Sequence, residues 1–165
     1  MKKILLVVIV TLLLVCCFAG CSQSYGANGQ NNTGTNSESQ MEGGEDMDLT
    51  KISFVVDGKL LDVSLEDNVA TRDLYNALKS GDIKVNMSRY GGFEQVGSLG
   101  RTLKSSDRQM STNPGDVVLY NSNQIVMFFG NNSWSYTKLG HINMSKSELE
   151  TLLDKSGVQL VISLG

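Results

Sequence analysis

The chain has 165 residues, and its three cysteines and single histidine are too few for a Cys/His zinc site. Residues 49–165 carry 12 acidic and 12 basic side chains, so no basic face is expected to attract nucleic acid. That segment is long enough for one domain whose core needs neither metal nor disulfide. We therefore expect a single folded domain without metal, cofactor or nucleic-acid partner.

Residues 1–21 have the pattern of an export signal. Met1, Lys2 and Lys3 are followed by an apolar run to Gly20, and residues 18–21, Phe-Ala-Gly-Cys, resemble the lipobox of bacterial lipoproteins. The resemblance implies that Cys21 becomes the acylated first residue of the mature protein, and two acyl chains anchor a protein stably. The predicted location is the extracytoplasmic side of the cell membrane. The alternative is an uncleaved helical anchor, which would leave the domain on the same side.

Residues 22–48 have the composition of a disordered linker. They contain five Gly, four Ser and four Asn, and few apolar side chains. Such a segment cannot bury enough apolar surface to offset the entropy lost on ordering. We predict a flexible polar tether between the membrane and a domain spanning residues 49–165.

The first half of the domain predicts a hairpin, a helix and a strand. Residues 52–56 and 60–65 are rich in apolar residues and flank Asp57-Gly58, a pair typical of type I′ turns. Residues 68–79 repeat apolar positions with helical spacing, and residues 83–87 should return as a strand.

The second half predicts further strands and a second helix. Residues 90–116 are rich in Gly and Ser and indicate loops around short strands. Residues 117–120 and 124–129 predict a second hairpin, and residues 138–143 a weaker strand. Residues 145–148 form a capping box that opens a helix closed by Gly157, and residues 158–164 predict a last strand. Seven or eight strands with two helices favour a closed barrel.

The order of these motifs resembles the bacterial cyclophilin-like fold family. The resemblance rests on the glycine-rich segment 90–100, on Pro114-Gly115-Asp116 and on the segments 125–130, 132–137 and 139–142. It implies a mainly β protein, a closed eight-stranded β-barrel with two capping helices.

The catalytic pattern of prolyl isomerases is absent from the nearest matching segment. True cyclophilins carry an arginine followed by Phe-Met and then glutamine along one strand. Residues 89–95 have different spacing, and Glu94 stands where an apolar proline pocket would need methionine. We therefore predict a non-catalytic binding module for a small molecule, glycan or peptide. The alternative is a weak peptidyl-prolyl cis-trans isomerase acting on exported proteins, in which Arg89 would reach a pocket floored by Phe93 or Phe128.

Two segments supply the candidate ligand-binding residues. The glycines of residues 90–100 either form turns that let aromatic side chains cover a barrel end, or bring backbone amides to a ligand. Trp134, the only tryptophan, has polar neighbours and either binds a sugar or peptide or folds back over the barrel. Two of the candidates are arginines, which could bind a carboxylate or pair with Glu94 or Asp107. The full set of candidates is Arg89, Tyr90, Phe93, Glu94, Arg101, Trp134 and Tyr136. His141 is interpreted as an ordinary surface or hydrogen-bonded residue.

Overall fold

The computed structural model describes residues 47–165. The predicted signal, Cys21 and nearly all of the predicted linker lie outside the described residues. In the described part a short 3-10 helix, Leu49–Lys51, precedes two α-helices, α1 (Val69–Leu78) and α2 (Lys146–Leu153). The strands are β1 (Ile52–Val56), β2 (Lys59–Leu61), β3 (Val63–Leu65), β4 (Ile83–Tyr90), β5 (Glu94–Ser98), β6 (Arg108–Thr112), β7 (Asp116–Tyr120), β8 (Gln124–Phe128), β9 (Asn132–Ile142) and β10 (Gly157–Leu164). Neither α-helix of this part is long and apolar enough to cross a membrane.

The strands form a nearly closed barrel. Their order is β2-β1-β10-β4-β5-β8-β7-β9-β3, and β6 adds to β9 outside this path. The first and last strands of the order, β2 and β3, are separated in the chain only by Asp62. One extended segment therefore pairs with β1 on one side and with β9 on the other. With β2 and β3 taken as one strand, this is the predicted eight-stranded barrel with two helices.

Both predicted hairpins are present, with backbone angles that match their turn residues. Asp57 and Gly58 have φ angles of 47° and 82°, the two positive values that a type I′ turn requires. The second hairpin joins β7 to β8, and its turn places Asn121 and Ser122 at φ angles of 48° and 61°. Asn tolerates this left-handed region better than most residues because its short side chain bonds locally.

Both predicted helices form and bury one face each. Asn68 caps α1, and its side chain accepts hydrogen bonds from the backbone N–H groups of Ala70 and Thr71. In α2 the Ser145–Glu148 capping box is present. The predicted end of this helix at Gly157 is wrong: the helix ends at Leu153 and Gly157 is the first residue of β10.

The central strands are buried on both faces. Val117 and Leu119 of β7 belong to the main core, which also receives the apolar faces of both helices. The intervening Val118 points to the opposite face, because side chains alternate along a strand. There a second cluster contains Val118, Val126, Phe128 and Tyr136.

Strand β9 is longer than the predicted strand 138–143. It begins at Asn132, and its first five residues pair with β6. The segment is rich in Asn and Ser and lacks the apolar alternation that predicts a strand. Pairing with β6 nevertheless makes this segment a strand, in which Trp134 lies opposite Met110. The strand fixes the face to which the Trp134 side chain points.

Candidate functional site

A pocket of about 450 Å³ lies on the face of the sheet that carries the second cluster. Strands β4, β5, β7, β8 and β9 all contribute to its wall. The lining residues are Tyr90, Glu94, Val96, Tyr120, Gln124, Val126, Asn132, Trp134 and Tyr136. The pocket is thus mainly aromatic and aliphatic, with one carboxyl group and two amides.

The carboxyl group of Glu94 is buried in this wall. Glu94 begins β5, lies opposite Tyr90 on β4 and Phe128 on β8, and is only 5% exposed. Its Oε2 has no hydrogen-bond partner among the described residues. Burial raises the pKa of the Glu94 carboxyl from 4.5 to about 7. The group therefore exchanges its proton near neutral pH, which is uncommon for a glutamate.

The next residue, Gln95, fixes the position of β5 from the other face. Its side-chain amide donates hydrogen bonds to the carbonyl oxygens of Leu153 and Lys155, at 2.7 and 2.8 Å. Those carbonyls lie at the C-terminal end of α2, where the carbonyl groups have no hydrogen-bond donor within the helix. The strand that carries Glu94 is thereby tied to the helix end.

Four aromatic residues line the pocket together with Glu94 and are called here the aromatic wall: Tyr90, Tyr120, Trp134 and Tyr136. Tyr90 and Trp134 are 68% and 56% exposed, whereas Tyr136 is buried. The rings of Tyr120 and Tyr136 meet edge to face, with centroids 5.8 Å apart. The wall combines two exposed rings able to contact a ligand with half-buried Tyr120 and buried Tyr136, which pack against each other.

The hydroxyl of Tyr136 is held by Asn132. The Asn132 side-chain amide donates a hydrogen bond to this hydroxyl at 2.9 Å. Burial, and after it the charge of Glu94, raises the pKa of the Tyr136 hydroxyl. Tyr136 is therefore a neutral hydroxyl beside the carboxyl group.

Two stacked phenylalanines lie under the aromatic wall. The rings of Phe93 and Phe128 are parallel to within 4°, with centroids 6.5 Å apart, and Phe128 meets Tyr136 edge to face. Glycines make room for Phe93: a Cβ at Gly91 would lie 2.4 Å from its ring, and one at Gly130 would lie 2.6 Å from its Cβ. These two glycines of the flanking loops thus allow Phe93 to pack against the second cluster.

The seven candidate residues do not all meet in the pocket. Tyr90, Glu94, Trp134 and Tyr136 line it, and Phe93 packs against the second cluster. The remaining two candidates, both arginines, are not among its lining residues.

Both arginines interact with groups outside the pocket. Arg89 forms an ion pair with Asp154 at 2.7 Å, and Arg101 donates to the carbonyl oxygen of Ala77 at 3.2 Å. Asp107 accepts a hydrogen bond from Thr137. Among the described residues, neither arginine therefore pairs with Glu94 or Asp107, the alternative that the sequence left open. Arg89 misses the pocket because adjacent residues on a strand, such as Arg89 and Tyr90, point to opposite faces.

Five lining residues were not singled out from the sequence: Val96, Tyr120, Gln124, Val126 and Asn132. Alternation along the second hairpin places Tyr120, Gln124 and Val126 on one face, but that hairpin is apolar on both faces. A pattern buried on both sides does not indicate which face carries a pocket.

His141 takes part in a separate polar cluster. Its Nδ1 lies 2.9 Å from Oδ1 of buried Asp116, and Lys138 Nζ lies 3.2 Å from the same oxygen. The backbone N–H of Asn113 donates to the other oxygen of Asp116. This agrees with the interpretation of His141 as a hydrogen-bonded residue. Within residues 47–165, no group of three or more His, Cys, Asp or Glu side chains is arranged to hold a metal.

The barrel with its two helices and its pocket on the outer sheet face defines a small cyclophilin-type β-barrel domain. The family model described as the Cyclophilin-like family matches residues 54–163, about two thirds of the chain. The protein therefore belongs to the Cyclophilin-like family. No curated protein matches the chain.

Proposed function

We propose that the protein is an exported, lipid-anchored binding module whose pocket receives a small molecule or one group of a glycan or peptide. The observation that carries the binding role is the pocket itself, which exposed Trp134 and Tyr90 line together with the buried Glu94. Its volume falls within the range of about 300–1,000 Å³ typical of small-molecule sites. Two exposed aromatic rings beside one buried polar group are suited to recognition rather than to packing.

The isomerase alternative depends on Arg89. The mechanism needs that guanidinium in the pocket, but its partner is Asp154 and it is absent from the nine lining residues. The geometry of the described residues therefore favours binding over isomerisation.

Anchoring is tested by replacing the cysteine of the lipobox-like segment. Cys21→Ala is expected to abolish acylation and to release the protein from the membrane fraction, because only a thiol can accept the lipid at that position. Mass spectrometry of membrane-extracted protein measures the acyl chains. Cys17→Ala is the matched control and should remain acylated. Equal acylation of the Cys21→Ala protein would contradict the proposal.

Ligand binding is tested through the single tryptophan. A screen of saccharides, short peptides and small amines against the full-length protein is expected to find a ligand that shifts Trp134 emission and raises Tm, because binding stabilises the folded state. Trp134→Ala should weaken that thermal shift, since it removes part of the aromatic wall. Leu60→Ala is the control, because Leu60 is an exposed apolar residue that does not line the pocket. A screen that leaves both Tm and emission unchanged contradicts the binding role.

A further inference from the structure

The pocket contains one acidic group and no basic one. None of the nine lining residues, all within the described part of the chain, is Lys, Arg or His. The neighbouring Arg89 is already paired with Asp154. The pocket therefore offers negative charge without a protein cation to balance it.

Burial of an unbalanced carboxylate is unfavourable. Glu94 is 5% exposed, and no described residue bonds its Oε2. An ionised carboxyl group that is buried without a partner destabilises the folded state in general. A cation that a ligand brings into the pocket beside this carboxyl group would balance its charge.

The aromatic wall favours the same ligand charge. Aromatic faces carry partial negative charge and attract ammonium and guanidinium groups within about 6 Å of the ring centre. Four such rings line the same pocket as Glu94, and the ring centroids of Tyr120 and Tyr136 are only 5.8 Å apart. A carboxylate within several aromatic rings is chemically suited to an organic cation.

We propose that the pocket binds an organic cation, an ammonium or guanidinium group, between Glu94 and the aromatic wall. This inference rests on the proposed binding function and names the chemical class of its ligand. The cation would lie against the carboxylate, while the rings of Tyr90 and Trp134 contact its apolar substituents. The source of the cation is a small free molecule, for which the pocket volume is sufficient.

The pH dependence of binding separates this ligand from a neutral one. The other titratable groups that line the pocket are the hydroxyls of Tyr90 on β4, Tyr120 on β7 and Tyr136 on β9, and the lining residues from β8 are uncharged. Glu94 is the only carboxyl group in the pocket lining, and its pKa of about 7 places its change of charge in this range. A cation binds the ionised form, so its affinity should increase with pH. A neutral ligand that accepts a hydrogen bond from the protonated carboxyl should show the opposite trend.

The test uses calorimetric titration of the full-length protein with choline and methylguanidinium, which both stay charged from pH 6 to pH 8. At least one is expected to bind, with affinity about tenfold higher at pH 8 than at pH 6, since a pKa of about 7 gives that change in ionised Glu94. The uncharged isostere of choline, 3,3-dimethylbutan-1-ol, should bind at least tenfold more weakly. Glu94→Gln should weaken cation binding at pH 8 by at least tenfold. Glu150→Gln, which removes the same charge from the exposed face of α2, should not.

The contradicting results also distinguish the two proposals. Equal binding of choline and the alcohol, an affinity that decreases as pH rises, or no binding of either cation would overturn the cation inference. If a saccharide or peptide from the screen still binds with dependence on Trp134, the binding function survives and only the ligand class is wrong. If nothing binds, both proposals fail.

Discussion

Glu94→Gln is expected to increase the free energy of unfolding at pH 8 by about 3 kcal/mol and to change it little at pH 4. The reason is that the folded protein raises the pKa of Glu94 from 4.5 to about 7. Each pKa unit corresponds to about 1.4 kcal/mol between the two protonation states. Glutamine has nearly the shape of the protonated carboxyl group but cannot ionise.

The direction follows from proton binding. Since the folded-state pKa is higher than the unfolded one, the folded protein binds the Glu94 proton more tightly. The stability that this contributes is fully present below pH 4.5 and is lost as pH rises to about 7. Glu94→Gln cannot ionise at this position, so the variant does not lose this stability as pH rises.

Urea unfolding followed by circular dichroism at pH 4 and pH 8 measures the effect. Glu150→Gln is the control and should leave the difference between the two pH values as in the wild type. A Glu94→Gln protein that is less stable than wild type at pH 8 would indicate that the carboxylate has a favourable partner.

Phe128→Ala is expected to lower the free energy of unfolding by about 3–5 kcal/mol, the range for truncating a buried phenylalanine. Phe128 is fully buried, stacks on Phe93 and meets Tyr136 edge to face. The substitution removes the common neighbour of these two rings, so any ligand found for the pocket should also bind at least tenfold more weakly.

A second core substitution separates an effect on stability from an effect on ligand binding. Phe54→Ala removes an equally buried ring from the main core, away from the second cluster. A similar loss of stability is expected, measured by urea unfolding, while the remaining folded protein keeps its ligand affinity. If both variants bind the ligand as the wild type does, Phe128 does not support the pocket.

Local features of the fold could be predicted from the sequence because they depend on neighbouring residues. The Asp57-Gly58 turn, the Asn68 cap and the Ser145–Glu148 capping box each specify a backbone conformation within a few positions. The closed barrel is favoured by the number of strands and implied by the family resemblance, whereas the pairing of β2 with β1 and of β3 with β9 has no local signal. The polar start of β9 was missed because its order depends on pairing with β6.

The candidate site was predictable only in part. Glu94 is a candidate because it lies in a glycine-rich segment that could form a ligand loop, and Trp134 because its neighbours are polar. The sequence does not show to which face of the sheet their side chains point. Arg89 is predicted beside them, although it points to the other face and pairs with Asp154. Sequence proximity placed Arg89 at the site, whereas strand alternation separates it from Tyr90.

The adjacency of Glu94 and Gln95 affects how the pocket can respond to a ligand. Their side chains leave one backbone in opposite directions, and Gln95 is bonded to the carbonyls of Leu153 and Lys155. A ligand cannot draw the backbone of β5 at Glu94 outward without stretching those two bonds, and the carboxyl group is itself buried in the wall of the pocket. The recognition surface is therefore preorganised, and most of the entropy lost in ordering its carboxylate is lost during folding rather than on association.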